Sequence, residues 1–188
     1  MKGGIDAWNG LVAEGIPEAG MLYFSSAHSP AEYLALAWLL EEGTRKFYNE
    51  VATMLDPSDQ EAAALFRDLV VSEEHHKALL LTLYREATGR KVDASENLAE
   101  SALPELPAEN LIEGGMSLEE ALDWVRQKPV EYTLEFSMTL EASAYDRYLY
   151  MQGELGDDAS RRILEILIDQ ERKHLDRLTG LFDRILQP

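Results

Sequence analysis

The stretch VVSEEHHKALLLTLY, residues 70–84, decides how the rest of the chain is read. It places Glu73 and His76 three residues apart within a run of helical periodicity. Residues at i and i+3 share a helix face one turn apart, so one carboxylate and one imidazole point the same way. QERKHLDRLTGLF, residues 170–182, repeats the device with Glu171 and His174, offset by 98 residues in both positions (171 − 73 and 174 − 76). Either pair alone reads equally well as a surface i,i+3 pair; two pairs at one offset do not.

Two more carboxylates extend the repeat. In LLEEGTRKFYNEVA, Glu41 follows Leu40 and precedes Tyr48 by seven residues; in TLEASAYDRYLYMQ, Glu141 follows Leu140 and precedes Tyr148 by seven. Glu42 lies about 100° round the helix from Glu41 and competes with it as a ligand. Glu41 is preferred because its counterpart Glu141 is followed by Ala142, not by a second Glu. The chain therefore reads as one αα-hairpin written twice, a Glu helix followed by a Glu-x-x-His helix, with a long connection between the copies.

Four carboxylates and two imidazoles with no thiolate form an oxygen-rich donor set that suits two iron or manganese ions better than a structural zinc. A lone Glu on each of two helices with Glu-x-x-His on the other two is the ligand set of ferritin-like di-metal carboxylate bundles. On these six positions the chain resembles the rubrerythrin branch of that superfamily, over roughly residues 29–186. The resemblance implies an all-α, ferritin-like four-helix bundle of two αα-hairpins joined by a long crossover that contains a short helix. It implies two iron ions, with manganese, or zinc as purified, as alternatives. The metal ligands would be Glu41, Glu73, His76, Glu141, Glu171 and His174. It further implies reduction of hydrogen peroxide or a related role in oxidative-stress defence, with peroxide or dioxygen as substrate, and a homodimer. Two other readings stand beside this oxidoreductase: ferrous uptake and oxidation as iron handling, and a helical interaction domain with a vestigial site.

The sequence departs from strict rubrerythrins in two respects. Those carry a four-cysteine rubredoxin module that feeds electrons to the metals, whereas this chain has no cysteine, so an external electron donor protein is required. They also carry an additional Glu one turn from the third-helix ligand, where Met138 and Ala144 stand at −3 and +3 from Glu141. That places a seventh ligand, and full peroxidase activity, in question.

The 188 residues suit one domain, and 46% apolar content can fill its core. The balance of 35 acidic to 17 basic residues, net −18, repels nucleic acid and anionic membrane surfaces and attracts cations. Most of these carboxylates read as solvated surface. Absence of cysteine removes disulfides and thiolate chemistry. No apolar run reaches the ~18–20 residues of a membrane span, and no secretory signal pattern opens the chain, so the expected location is cytoplasmic.

Along the chain, residues 1–28 form an N-terminal arm, and residues 29–188 the di-metal bundle. KGGIDAW near the start resembles the closing segment of a rhodanese domain, over about twenty residues; an ordinary arm packing Trp8 and Leu11 on the bundle is the equal alternative. The capping signals Ser29-Pro30-Ala31-Glu32 predict a first helix over residues 30–55, stopped at Asp56-Pro57. Ser58 to Glu61 predicts the cap of a second helix that ends at Gly89. Residues 93–109 read as loop and residues 118–127 as a short capped helix. Third and fourth helices are expected over about 129–155 and from after Asp157 to 186. Tyr132, Phe136, Glu141, Tyr145 and Tyr148 are expected inward on the third. Tyr145, one turn after Glu141, is the aromatic expected to hydrogen-bond a ligand carboxylate, and Tyr148 reads as core.

Overall fold

The computed structural model describes residues 29–93, 98–103, 110–155 and 157–187. The expected arm and the rhodanese-like segment lie outside the described residues. Four long helices carry the fold: α1 (Pro30–Leu55), α2 (Gln60–Thr88), α5 (Val130–Glu154) and α6 (Asp158–Leu186). Between the hairpins lie α3 (Leu98–Ala102), a 3₁₀ turn (Glu113–Gly115) and α4 (Leu118–Arg126). No strand occurs among the described residues.

The helix ends follow local chemistry. Ser29 caps α1 by accepting the Glu32 amide at 3.3 Å, with Pro30 in the first turn. The α2 cap is Asp59, which accepts the Ala62 amide at 2.9 Å, not the expected Ser58. Ser58 instead turns its hydroxyl back to the Leu55 carbonyl, so a hydroxyl lost the cap to the neighbouring carboxylate. Gly89 ends α2 at φ 68°, a left-handed conformation that glycine adopts without strain. Ser117 and Glu120 close a full capping box on α4. Within the stretch expected to be loop, α3 forms one short helix that places Leu98 in the core.

Two apolar clusters fill the bundle. One contains Leu34, Leu40, Leu80, Leu83, Tyr148, Met151, Leu164 and Leu167. The other contains Phe47, Val51, Phe66, Leu69, Leu134, Leu140, Leu178 and Leu181. Each long helix passes from one cluster to the other, and the six predicted ligands sit where it changes over. From the residue order, α1 and α6 run one way, and α2 and α5 the other. Because α2 and α5 are parallel, α2 ends at the opposite end of the bundle from where α5 begins. The connection must run the length of the bundle, hence the long crossover. Among its described residues, Val92 and Leu98 are buried in the first cluster and Ile112, Leu122 and Val125 in the second.

Gly43 lets the crossover lie on α1. A Cβ there would meet the Leu111 carbonyl oxygen at 1.9 Å, a backbone atom that no rotamer change can move away. Gly43→Ala is expected to lower stability by about 1–3 kcal/mol, the usual cost of overpacking, as a shift of the urea unfolding midpoint. An unchanged midpoint would show that the crossover does not pack this closely.

On α5 the inward stripe is not quite the expected one. Tyr132 is 40% exposed, and Tyr145 is only half-buried. The buried face centres on Ala144, Tyr148 and Met151, which leaves Tyr145 about 90° away at its edge.

Candidate metal centre

Glu41, Glu73, His76, Glu141, Glu171 and His174 converge between the two apolar clusters, none more than 4% exposed. His76 Nδ1 lies 3.3 Å from Glu41 Oε2, 3.3 Å from Glu73 Oε2 and 3.2 Å from Glu171 Oε1. His174 Nδ1 lies 2.9 Å from Glu141 Oε2 and 3.3 Å from Glu171 Oε2. The imidazoles stack with ring centroids 5.3 Å apart. Two overlapping triads result, Glu41–Glu73–His76 and Glu73–Glu141–His174, with donor atoms in each within 4.8 Å of one another. Glu171 offers one oxygen to each imidazole, and Glu73 belongs to both triads. In this geometry Glu41 and Glu141 would be terminal ligands of a cation pair, and Glu73 and Glu171 would be shared.

An imidazole Nδ1 carries at most one hydrogen, yet His76 Nδ1 faces three carboxylate oxygens. Both Glu171 oxygens are buried with no aligned hydrogen-bond donor despite their nearness to the imidazoles. Buried carboxylate oxygens left in this state are costly, and two cations between the imidazoles would satisfy them. The donor set therefore fits a pair of divalent ions.

Without cations, protons take their place. Burial raises the Glu73 carboxyl well above the usual range, reinforced by the Glu41 charge. Burial likewise raises Glu141 to about 7, against the pull of His174. For Glu171, burial is outweighed first by the His76 charge, then by the nearness of both imidazoles, and it falls to about 2. Glu41 is held well below the usual range, because the protonated Glu73, Arg147 and His76 together outweigh its burial. Against their burial, the Glu171 charge lifts His76 well above its ordinary value, and Glu141 lifts His174 to about 9.

Hydroxyls outside the ligand layer orient the carboxylates. Tyr48 donates to Glu141 Oε1 at 2.5 Å, and Tyr148 donates to Glu41 Oε1. Each tyrosine of one hairpin thus holds the terminal glutamate of the other. The assignment of this role to Tyr145 is corrected: its ring sits at the edge of the buried stripe, and its hydroxyl pairs with Arg172. Tyr148 is core as expected and also takes this role, because it shares the inward face with Glu141 and reaches across to Glu41. His75 is exposed, and Glu42, passed over in favour of Glu41, lies outside the layer, where it pairs with Arg45 and Lys77.

Two residues at the centre were not anticipated. Arg147 is fully buried and donates from Nη2 to Glu41 Oε1 at 2.5 Å and also to Glu113. Glu113 comes from the crossover's 3₁₀ turn, anchored by its amide on Thr44 Oγ1 at 3.0 Å. Burial raises the Glu113 carboxyl to about 8, with Arg147 opposing. The signal for Arg147 lay in the repeat: position 147 corresponds to Phe47 (147 − 47 = 100), an apolar residue replaced by a charge. Glu113, one acid among 35, gave none.

None of the curated proteins compared with the chain matches it. A solved structure, a hypothetical protein from Pyrococcus furiosus, is 24% identical and superposes with a TM-score of 0.61, over 84% of this chain and 90% of that one. That likeness supports the fold. The family model for rubrerythrin matches residues 32–182, from the first turn of α1 to near the end of α6, a span that includes all six converging side chains. This chain belongs to the rubrerythrin family.

Proposed function

We propose that the chain is a non-haem di-iron oxidoreductase of rubrerythrin type that reduces hydrogen peroxide with electrons from a separate donor protein. The observation that carries this reading is Glu171, whose two unsatisfied oxygens each lie within 3.3 Å of a different imidazole Nδ1. His76 and Glu41 would hold one ion, His174 and Glu141 the other, and Glu73 and Glu171 would be shared. When bound, a ferrous pair supplies two electrons, one per ion, which matches H2O2 + 2e⁻ + 2H⁺ → 2H2O.

The chain's own residues prepare this chemistry. Burial of all six side chains keeps bulk water from the donor atoms. The Tyr48 and Tyr148 phenols are raised well above their ordinary value, by burial first and by the neighbouring carboxylates, so they remain donors that hold Glu141 and Glu41 in place. With Nδ1 as ligand, His174 keeps its proton on Nε2 and donates it to Ser72 Oγ at 2.7 Å, which fixes ring and tautomer. No α5 carboxylate supplies a seventh ligand: position 144 is a buried alanine.

The test is anaerobic loading with ferrous iron, followed by peroxide and a chemical reductant, with peroxide consumption counted per chain. Consumption well beyond one equivalent supports the enzyme. Consumption that stops at one equivalent, with ferric iron retained, supports iron handling, which the net charge of −18 would favour by attracting cations. No metal uptake would leave a helical interaction domain.

A further inference from the structure

The two halves of the centre are related by the repeat, and their surroundings break that relation in one direction. Glu41 and Glu141 correspond, as do Tyr48 and Tyr148, and each glutamate takes one tyrosine hydroxyl on Oε1. Glu41 Oε1 also takes Arg147 Nη2, whereas no lysine or arginine among the described residues pairs with Glu141. Glu113 holds the other side of the guanidinium and anchors its positive charge on Glu41. A carboxylate oxygen already holding two donors, one of them cationic, gives less charge to a metal ion. It also leaves only Oε2 facing His76.

The imidazoles differ in the same direction, on independent evidence. His174 Nε2 has Ser72 Oγ at 2.7 Å, the kind of outer hydrogen bond that raises a histidine's strength as a ligand. His76 Nε2 is buried with no partner. Gln170, which the repeat sets in the place of Ser72 (170 − 72 = 98), likewise leaves its buried Oε1 unpaired.

Stability does not explain Arg147. Arg147 Nη1 is buried without a partner, a cost of about 1–3 kcal/mol for an unsatisfied polar group. Its counterpart Phe47 packs against Phe136 with ring centroids 5.5 Å apart, which shows that an apolar side chain serves the bundle at the corresponding place.

We infer that Arg147, anchored by Glu113, is a positioning residue that makes the centre unequal, so that the Glu141–His174 half takes the first divalent cation and the Glu41–His76 half the second. This rests on the di-metal reading above. Ordered filling lets the first ion draw in the shared Glu73 and Glu171 before the second arrives.

The test is an anaerobic titration of the full chain with cobalt(II), followed by calorimetry and by visible absorption. His174→Ala is expected to weaken the first binding step tenfold or more, while His76→Ala leaves that step nearly unchanged and removes the second. In an Arg147→Met, Glu113→Gln background, which removes the arginine bridge and its anchor together, the difference between the two histidine substitutions is expected to shrink at least severalfold. Ser72→Ala, which leaves the arginine bridge intact and serves if the double variant does not fold, is expected to narrow it too. Equal effects of the two histidine substitutions in the parent chain, or an undiminished difference in both backgrounds, would overturn the inference and leave the di-metal reading standing. No cobalt uptake by the parent chain would overturn both.

Discussion

Replacing Glu171 with alanine is expected to empty the centre. Glu41, Glu141 and each histidine would serve one ion, but Glu171 places Oε1 at 3.2 Å from His76 Nδ1 and Oε2 at 3.3 Å from His174 Nδ1. Its loss deprives both ions at once and leaves two imidazoles facing each other across a cavity with one fewer negative charge. Metal analysis by mass spectrometry should show roughly two ions in the parent chain and well under one in Glu171→Ala, a loss larger than the 10–100-fold typical of outer partners. His76→Ala and His174→Ala should each retain roughly half of the parent's metal under saturating conditions, since each removes one terminal donor. If Glu171→Ala retained two ions, the shared role drawn from the geometry would be wrong.

The second large effect is a dependence of stability on pH that reverses when cations bind. Glu141 is raised to about 7, Glu113 to about 8 and His174 to about 9 in the folded chain, and Glu73 and His76 are raised well above their ordinary values. A raised group contributes stability that is full below its unfolded value and is lost as pH climbs through its folded value. Glu171 is lowered to about 2 and Glu41 well below its usual range, and their contribution is lost as pH falls below about 4.5. The cation-free protein should therefore be most stable near pH 5 and lose stability steadily toward pH 9. Cations require these same groups deprotonated, so their binding displaces the protons on His76, His174 and Glu73 and strengthens as pH rises. At a hundredfold excess over Kd the gain is about 2.7 kcal/mol, or roughly 5–10 °C in melting temperature for a chain of this size. Thermal melts at pH 5 and pH 8, with cobalt(II) and with chelator, should diverge as pH increases. A cation-free melting temperature that rose from pH 5 to pH 8 would contradict the assignment of these buried protons.

The long helices were legible because each is written in local signals: Ser29 and Pro30 at the start of α1, Gly89 at the end of α2, Asp157 ahead of α6. Their inward stripes on α2 and α6 were legible too, since Leu65, Leu69, Leu80, Leu164, Leu167 and Leu178 keep a plain 3.6-residue period. On α5 aromatics lie on several sides, and period alone did not separate Tyr148, which faces in, from Tyr132, which does not. The six donors followed from the repeat, because a duplicated hairpin brings equivalent positions to one level. What the repeat could not announce was its own exceptions. Arg147 and Ser72 matter because they differ from Phe47 and Gln170, and Glu113 reaches the centre through tertiary packing of a turn on Gly43 and Thr44.

The most direct test of the metal centre is a crystal structure of iron-loaded protein with data collected at the iron absorption edge. Two anomalous peaks are predicted inside the bundle, one beside His76 Nδ1 and one beside His174 Nδ1, each about 2.1 Å from its nitrogen, with Glu171 bridging them. A single peak on the outer surface, or none between the two imidazoles, would contradict the account.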